Sequence, residues 1–190
     1  PLIAQAAAEG ARLVVLPEYF GVFGARATDK LAVREKDGEG PQQAFTDLFE
    51  EIKDPGPLAF ALIFHDSGKG VPGEGHVDGS VRLARAAMSR ILMPDHDRAL
   101  VLFLIGRHLE LSTAMQSRDV YDPQTIRDVA HQVETVERLK ALTLLTYADI
   151  SAVNPTVMTG WRSEQFWQLY LIVHAELTRE LQAERVTEAP

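Results

Sequence analysis

From Gln42 onward the apolar residues recur at three- and four-residue steps, the spacing that puts side chains on one face of an α-helix. This pattern predicts helices over about 42–53, 57–67, 76–92, 95–110, 123–132, 135–153 and 160–185. Start and stop signals divide them. Asp54-Pro-Gly-Pro57 closes one helix and opens the next, and Pro94-Asp95 and Asp122-Pro123 each offer an N-cap beside a proline. Thr135 and Thr159 suit caps as well. Ahead of Gln42 the pattern changes. Arg12-Leu-Val-Val-Leu-Pro17 is a β-branched, apolar run stopped by proline, which predicts a buried strand after a short Ala-rich helix. Gly21, Gly24, Gly38, Gly40 and Pro41 then punctuate a loop-rich stretch. The expected fold is all-α, a helical bundle over residues 46–186 with a short N-terminal helix/strand appendage over residues 1–45.

Composition narrows the chemistry. With 46% apolar residues in 190, the chain can bury a core without disulfide staples. It has no cysteine, which excludes thiol catalysis, iron–sulfur clusters and cysteine zinc sites. A net charge of -8 argues against an electrostatic grip on nucleic acid. No apolar run approaches the roughly 20 residues of a membrane span, so no membrane partner is expected. The N-terminal stretch lacks the charged start and cleavage pattern of a signal peptide, and a cytoplasmic location is expected.

The candidate chemistry sits on the helices. His65-Asp66 closes the apolar run Leu58-Ala-Phe-Ala-Leu-Ile-Phe64 and precedes Ser67-Gly-Lys-Gly70. Ionisable neighbours at the end of a buried helix cost desolvation energy unless something pairs with them. A divalent metal, which accepts neutral imidazole and carboxylate together, is a natural partner. Asp149 lies seven residues after Leu142 and four after Leu145, which places its carboxylate on the apolar face of its helix. A structural salt bridge to an arginine is the competing reading of Asp149. His108 lies four after Leu104 and three before Leu111, so it also projects from a core-facing stripe, where a histidine is more often a satisfied core residue than a ligand. His76 follows the glycine-rich Val71-Pro-Gly-Glu-Gly75 and opens a helix, where it can reach a metal or a phosphate. His96, His131 and His174 sit among polar neighbours and are expected to be solvated.

Two resemblances follow from these residues. Gly10-Ala-Arg-Leu-Val-Val-Leu-Pro-Glu-Tyr-Phe20, with Asp29-Lys30 and Gly38-Glu-Gly-Pro41, resembles the start of the nitrilase (carbon–nitrogen hydrolase) family. That likeness implies a general-base role for Glu18 in a Glu-Lys-Cys triad, yet no cysteine exists to complete it, so a non-functional fragment is expected. His65-Asp66, His76, His108 and Asp149, in this order and on helices, resemble the HD superfamily of metal-dependent phosphohydrolases. The likeness is closer to the HD domain of the bifunctional uridylyltransferase/uridylyl-removing family that modifies the PII signal protein. It rests on Phe64-His-Asp-Ser-Gly-Lys-Gly70, Gly75-His76 with Gly79, and Arg107-His-Leu-Glu-Leu-Ser-Thr113. Further matches are Arg118-Asp119, Asp122-Pro123, Leu144-Leu-Thr-Tyr-Ala-Asp-Ile150, Asn154-Pro155 and Trp161-Arg162.

The second resemblance implies roles. His65, Asp66 and Asp149 match metal ligands. His108 and His76 match further histidines around the site that hold a second metal or contact phosphate, and we count His108 with the metal ligands. Lys69 would stabilise phosphoryl oxygens, so Asp66, Lys69 and His76 are expected to serve the chemistry. The implied cofactor is a divalent metal (Mn, Fe, Mg or Zn), the implied partner is uridylylated PII, and the implied product is UMP. The family's first motif histidine, on a helix well upstream, has no counterpart, because no histidine precedes His65. A catalytically inactive helical module that binds a nucleotide or protein partner, and a generic nucleotidase, are the alternatives. The first segment makes its own prediction: the chain hydrolyses no amide or nitrile, and Glu18→Gln changes no activity. An amide or nitrile hydrolysis that disappears in Glu18→Gln would overturn it.

Overall fold

One helix has six consecutive buried residues, Ala141 to Thr146, which a helix achieves only when neighbours cover it all round. The rest of the fold is arranged about it. The computed structural model describes residues 41–117, 119–153 and 157–187, all within the unit Glu35–Pro190. The predicted N-terminal helix, the strand Arg12–Pro17 and Glu18 lie outside the described residues, as do Arg118, Asn154 and Pro155 of the matched stretches.

Among the described residues the protein is all-α, with no strand. In chain order the helices are α1 (Pro41–Glu50), α2 (Gly56–Phe64), a 3-10 turn (Ser67–Gly70), α3 (His76–Arg90), α4 (Asp95–Arg107), α5 (Glu110–Ser117), α6 (Pro123–Val133), α7 (Val136–Val153) and α8 (Gly160–Thr187). The surrounded helix is α7, which touches α1, α2, α4, α5, α6 and α8. A second layer forms where α3 lies on the 3-10 turn and on α4.

Most predicted caps are present. The Asp122 carboxylate accepts the Thr125 N–H at 2.9 Å. Thr135 Oγ1 accepts the Arg138 N–H at 3.2 Å, and Thr159 Oγ1 accepts the Arg162 N–H at 3.3 Å. Asp95 does not cap: Pro94 holds the N-cap position, and Asp95 lies inside the first turn of α4, where its charge favours the helix dipole.

Two boundaries differ from the periodicity, for one reason. The helix expected over 57–67 stops at Phe64, and the one expected over 95–110 stops at Arg107, with a separate α5 beyond it. In both places a histidine side chain takes a carbonyl that a continuing helix uses for its own backbone. His65 Nδ1–H donates to Leu62 O at 2.8 Å, and His108 Nδ1–H donates to Ile105 O at 2.7 Å. Helix α5 itself was not expected, because Ser112, Thr113 and Ser117 dilute the short apolar stripe that buries Leu111 and Ala114.

Helix α1 begins at Pro41, so it includes the last residues that the sequence reading gave to the N-terminal segment. Its Phe45 is 3% exposed, stacks on Tyr147 at 4.1 Å between ring centroids and meets Phe166 and Trp167. An aromatic buried in that way contributes through area and through ring geometry. Phe45→Ala should therefore destabilise the protein by about 3–5 kcal/mol. Urea unfolding measures it, and an unchanged midpoint would mean that α1 does not anchor the bundle.

Candidate metal centre

The site forms where α2, α3, α4 and α7 bring their polar ends together. Helix α2 ends at His65 because the chain turns there: the imidazole holds Leu62 O, and the Ser67 hydroxyl donates to Phe64 O at 2.8 Å. Asp66 follows and leads into the 3-10 turn. A backbone carbonyl can only accept, so the His65 and His108 rings must carry their proton on Nδ1. Their Nε2 atoms are left to face the site.

The 3-10 turn is pressed against the start of α3. A Cβ on Gly68 would lie 2.0 Å from His76 O and 2.4 Å from Ser80 N, so only glycine fits. The Gly68 N–H donates to the buried Ser80 hydroxyl at 2.8 Å. This contact sets His76, the first residue of α3, beside the His65–Asp66 pair. The connecting loop is held from outside by the Glu74–Arg82 ion pair at 2.9 Å.

All the residues picked out from the sequence converge. His65 Nε2 lies 3.2 Å from Asp149 Oδ1 and 3.5 Å from Asp66 Oδ2, and His108 Nε2 lies 3.9 Å from Asp66 Oδ1. The rings of His65 and His76 stand edge-on to His108, at 5.3 and 5.6 Å between centroids. The result is two triads that share Asp66, namely His65–Asp66–Asp149 and Asp66–His76–His108, with the ligand atoms of each within 4.8 Å of one another. Two donors about 2.1 Å from a single ion stand about 3.0–4.2 Å apart in tetrahedral or octahedral geometry, so the measured separations suit coordination. Lys69 reaches back from the turn to Asp66 Oδ2 at 2.5 Å.

The electrostatics split the histidines. Burial lowers the pKa of His108 and outweighs its bond to Ile105 O, which keeps the ring neutral. Its Nε2 lone pair is buried with no hydrogen-bond partner among the described residues, a costly state unless something coordinates it. A divalent cation fits this donor set of imidazoles and carboxylates. Burial also acts to lower the pKa of His65. The bonds to Asp149 and Leu62 O, with the charges of Asp149 and Asp66, outweigh it and raise the value. Asp149 is correspondingly lowered, first by its bond from His65, against the opposing effect of burial. Its partner is thus His65, and among the described residues no arginine pairs with it.

The remaining histidines stay apart from the site. His96 is exposed beside Asp97, and His131 is exposed. His174 differs from expectation in being half-buried, with its ring near Tyr170. Ser80, absent from the sequence reading, is the residue that a search for chemistry overlooks. Its only trace is the small pair Gly79-Ser80 one turn into α3.

No family model matches the chain, and no solved structure matches it. Curated relatives do. A bifunctional uridylyltransferase/uridylyl-removing enzyme of Rhodopseudomonas palustris is 42% identical over 121 residues, 64% of this chain and 13% of the relative. One from Phenylobacterium zucineum is 40% identical over 124 residues, 65% of this chain and 13% of the relative. One from a Bradyrhizobium species is 35% identical over 161 residues, 82% of this chain and 17% of the relative. The chain therefore corresponds to less than a fifth of the length of these relatives. No helix among the described residues is long and apolar enough to cross a membrane.

The His65–Asp149 pair makes the metal-free protein sensitive to pH. His65, raised above 6.5, adds stability that is full below pH 6.5 and fades as pH rises through its folded-state value. Asp149, lowered below 3.8, adds stability present above that pH and lost as pH falls through its folded-state value. In thermal melts with chelator present, Asp149→Asn should lower the melting temperature most near about pH 5 and least near about pH 8. A deficit that stays constant across that range would mean the pair carries no charge.

Proposed function

We propose that residues 46–186 form an HD-type metal-dependent phosphohydrolase module of the uridylyl-removing kind. In this reading it hydrolyses the phosphodiester that links UMP to a tyrosine of the PII signal protein. The observation that carries the reading is the convergence of His65, Asp66, His76, His108 and Asp149 around a buried imidazole nitrogen with no partner among the described residues. The names of the relatives add the uridylyl chemistry. Residues 1–40 stand in this proposal as a nitrilase-like fragment without activity of its own, since α1 from Pro41 onward belongs to the bundle.

His65, Asp66, His108 and Asp149 would hold the divalent cation, with His76 completing the second triad. When bound, the cation supplies an activated water and positive charge against the phosphate. To serve as a ligand His65 would have to be free of any Nε2 proton, while Leu62 O keeps Nδ1–H in place and so fixes the ring. Asp149 orients that ring in the metal-free chain and turns its carboxylate to the same centre. His108 needs no proton loss, since burial already holds it neutral. His76, at the rim, is placed to contact a phosphate oxygen or the leaving tyrosine.

A second reading has its own support. No histidine precedes His65, so the upstream ligand of the HD pattern is missing, and an inactive module that binds a nucleotide or protein partner would result. Metal-titrated melts separate the two. Under the hydrolase reading, Mn²⁺ raises the melting temperature of the parent, and Asp149→Asn abolishes the rise. Placing a relative's histidine-bearing upstream helix before residue 41, so that α1 and Phe45 are kept, should strengthen the response and allow UMP release from uridylylated PII. A parent and a chimera that both ignore Mn²⁺, Fe²⁺, Zn²⁺ and Mg²⁺ would sink the hydrolase reading.

A further inference from the structure

Asp66 is the carboxylate common to both triads, and in the structure it is already occupied by a positive charge. Lys69 Nζ lies 2.5 Å from Oδ2, the same oxygen that stands 3.5 Å from His65 Nε2. Any cation that takes Asp66 from the His65–Asp149 side must share that oxygen with Lys69 or displace it. Two like charges on one carboxylate oxygen repel, so displacement is favoured.

The local build lets the side chain leave without the backbone. The turn is tied down: Gly68 packs so closely on the backbone of α3 that no Cβ fits, its N–H is bonded to Ser80 Oγ, and the Lys69 N–H is bonded to Asp66 O at 3.0 Å. The Lys69 side chain itself is 64% exposed, and among the described residues its one ion pair is with Asp66, with Asp149 acting on it only at longer range. Rotation about its own bonds therefore suffices to carry the ammonium from Asp66 to the open side of the site. Lysine suits this task, being a compact charge on a flexible stem.

We propose that Lys69 is an exchangeable counter-ion of Asp66: it holds the carboxylate in the metal-free chain, leaves when a divalent cation arrives, and then presents its ammonium to a phosphate. This deepens the hydrolase reading and rests on it. A fixed phosphate-contact role for Lys69 would leave metal affinity untouched. Exchange instead predicts that one substitution acts with opposite signs on the two ligands.

The test is calorimetric titration of the full chain with Mn²⁺, and of the Mn²⁺-loaded chain with orthophosphate, for the parent, Lys69→Met and Lys69→Arg. Because Lys69 is exposed, neither substitution threatens the fold. In Lys69→Met, Mn²⁺ should bind roughly three- to tenfold tighter and orthophosphate roughly tenfold weaker, as befits the loss of one partly exposed ion pair and one charge-assisted contact. Lys69→Arg should stay within about twofold of the parent for Mn²⁺. Unchanged or weaker Mn²⁺ binding in Lys69→Met overturns the exchange, and so does unchanged orthophosphate binding. If the parent binds Mn²⁺ through Asp66 while Lys69→Met matches it, the hydrolase reading survives and the exchange alone fails. If no variant binds Mn²⁺, both fall.

Discussion

A helix that ends inside a protein leaves carbonyl oxygens without partners, and the candidate site depends on how two such ends are satisfied. At Leu62 and Ile105 the acceptor is taken by an imidazole three residues later. That single bond stops the helix and assigns the ring proton to Nδ1. It also aims Nε2 away from the helix, toward the other histidine and the two aspartates. Without it the two rings would have neither a fixed tautomer nor a fixed direction. Structural and chemical demands are met by the same hydrogen bond.

Helix α7 joins those demands to the core. Its residues Ala141 to Thr146 are buried among other helices, and one turn further along Asp149 meets His65. The aromatic cluster of Phe45, Phe166 and Trp167 grips the same helix at Tyr147, two residues before the carboxylate. The position of Asp149 is therefore inherited from a helix buried in the core, where interiors resist small displacements. Asp66, in contrast, stands on a turn and remains 31% exposed, within reach of solvent and of Lys69. The two carboxylates differ little in exposure, 24% for Asp149 against 31% for Asp66, but one sits on a packed helix and the other on a turn beside Lys69.

Much of this was legible in the sequence. Periodicity located the helices, Asp122, Thr135 and Thr159 announced their starts, and the apolar stripes turned His108 and Asp149 inward. The helix ends were harder to read, because the signals that stop α2 and α4 are side-chain bonds from histidines. Histidine also fits a helix interior, and nothing in the spacing reveals which carbonyl it will seek. Helix α5 escaped because eight residues with several hydroxyls give too short a stripe to show a period. The partner of Asp149 was open as well, since sequence spacing places a carboxylate on a face without saying what lies across from it. The nearness of Gly68 to Ser80 is a contact between backbones, and composition carries no direct record of it.

That contact has a consequence for how the site can vary among related chains. A Cβ at Gly68 would run into the backbone of α3 at His76, Gly79 and Ser80, and a Cβ at Gly79 would lie 3.1 Å from Gly68 Cα. Gly68 cannot accept even a methyl group unless the turn and the helix move apart, a move that would separate Asp66 from His76, whereas Gly79 could take one if its neighbours gave by a few tenths of an ångström. Drift at Gly68 is therefore barred one substitution at a time. Room for change lies instead at positions whose side chains point outward, such as Arg82. Diversification of this site would proceed through the length and charge of its rim, around a hinge-free seam of bare backbone.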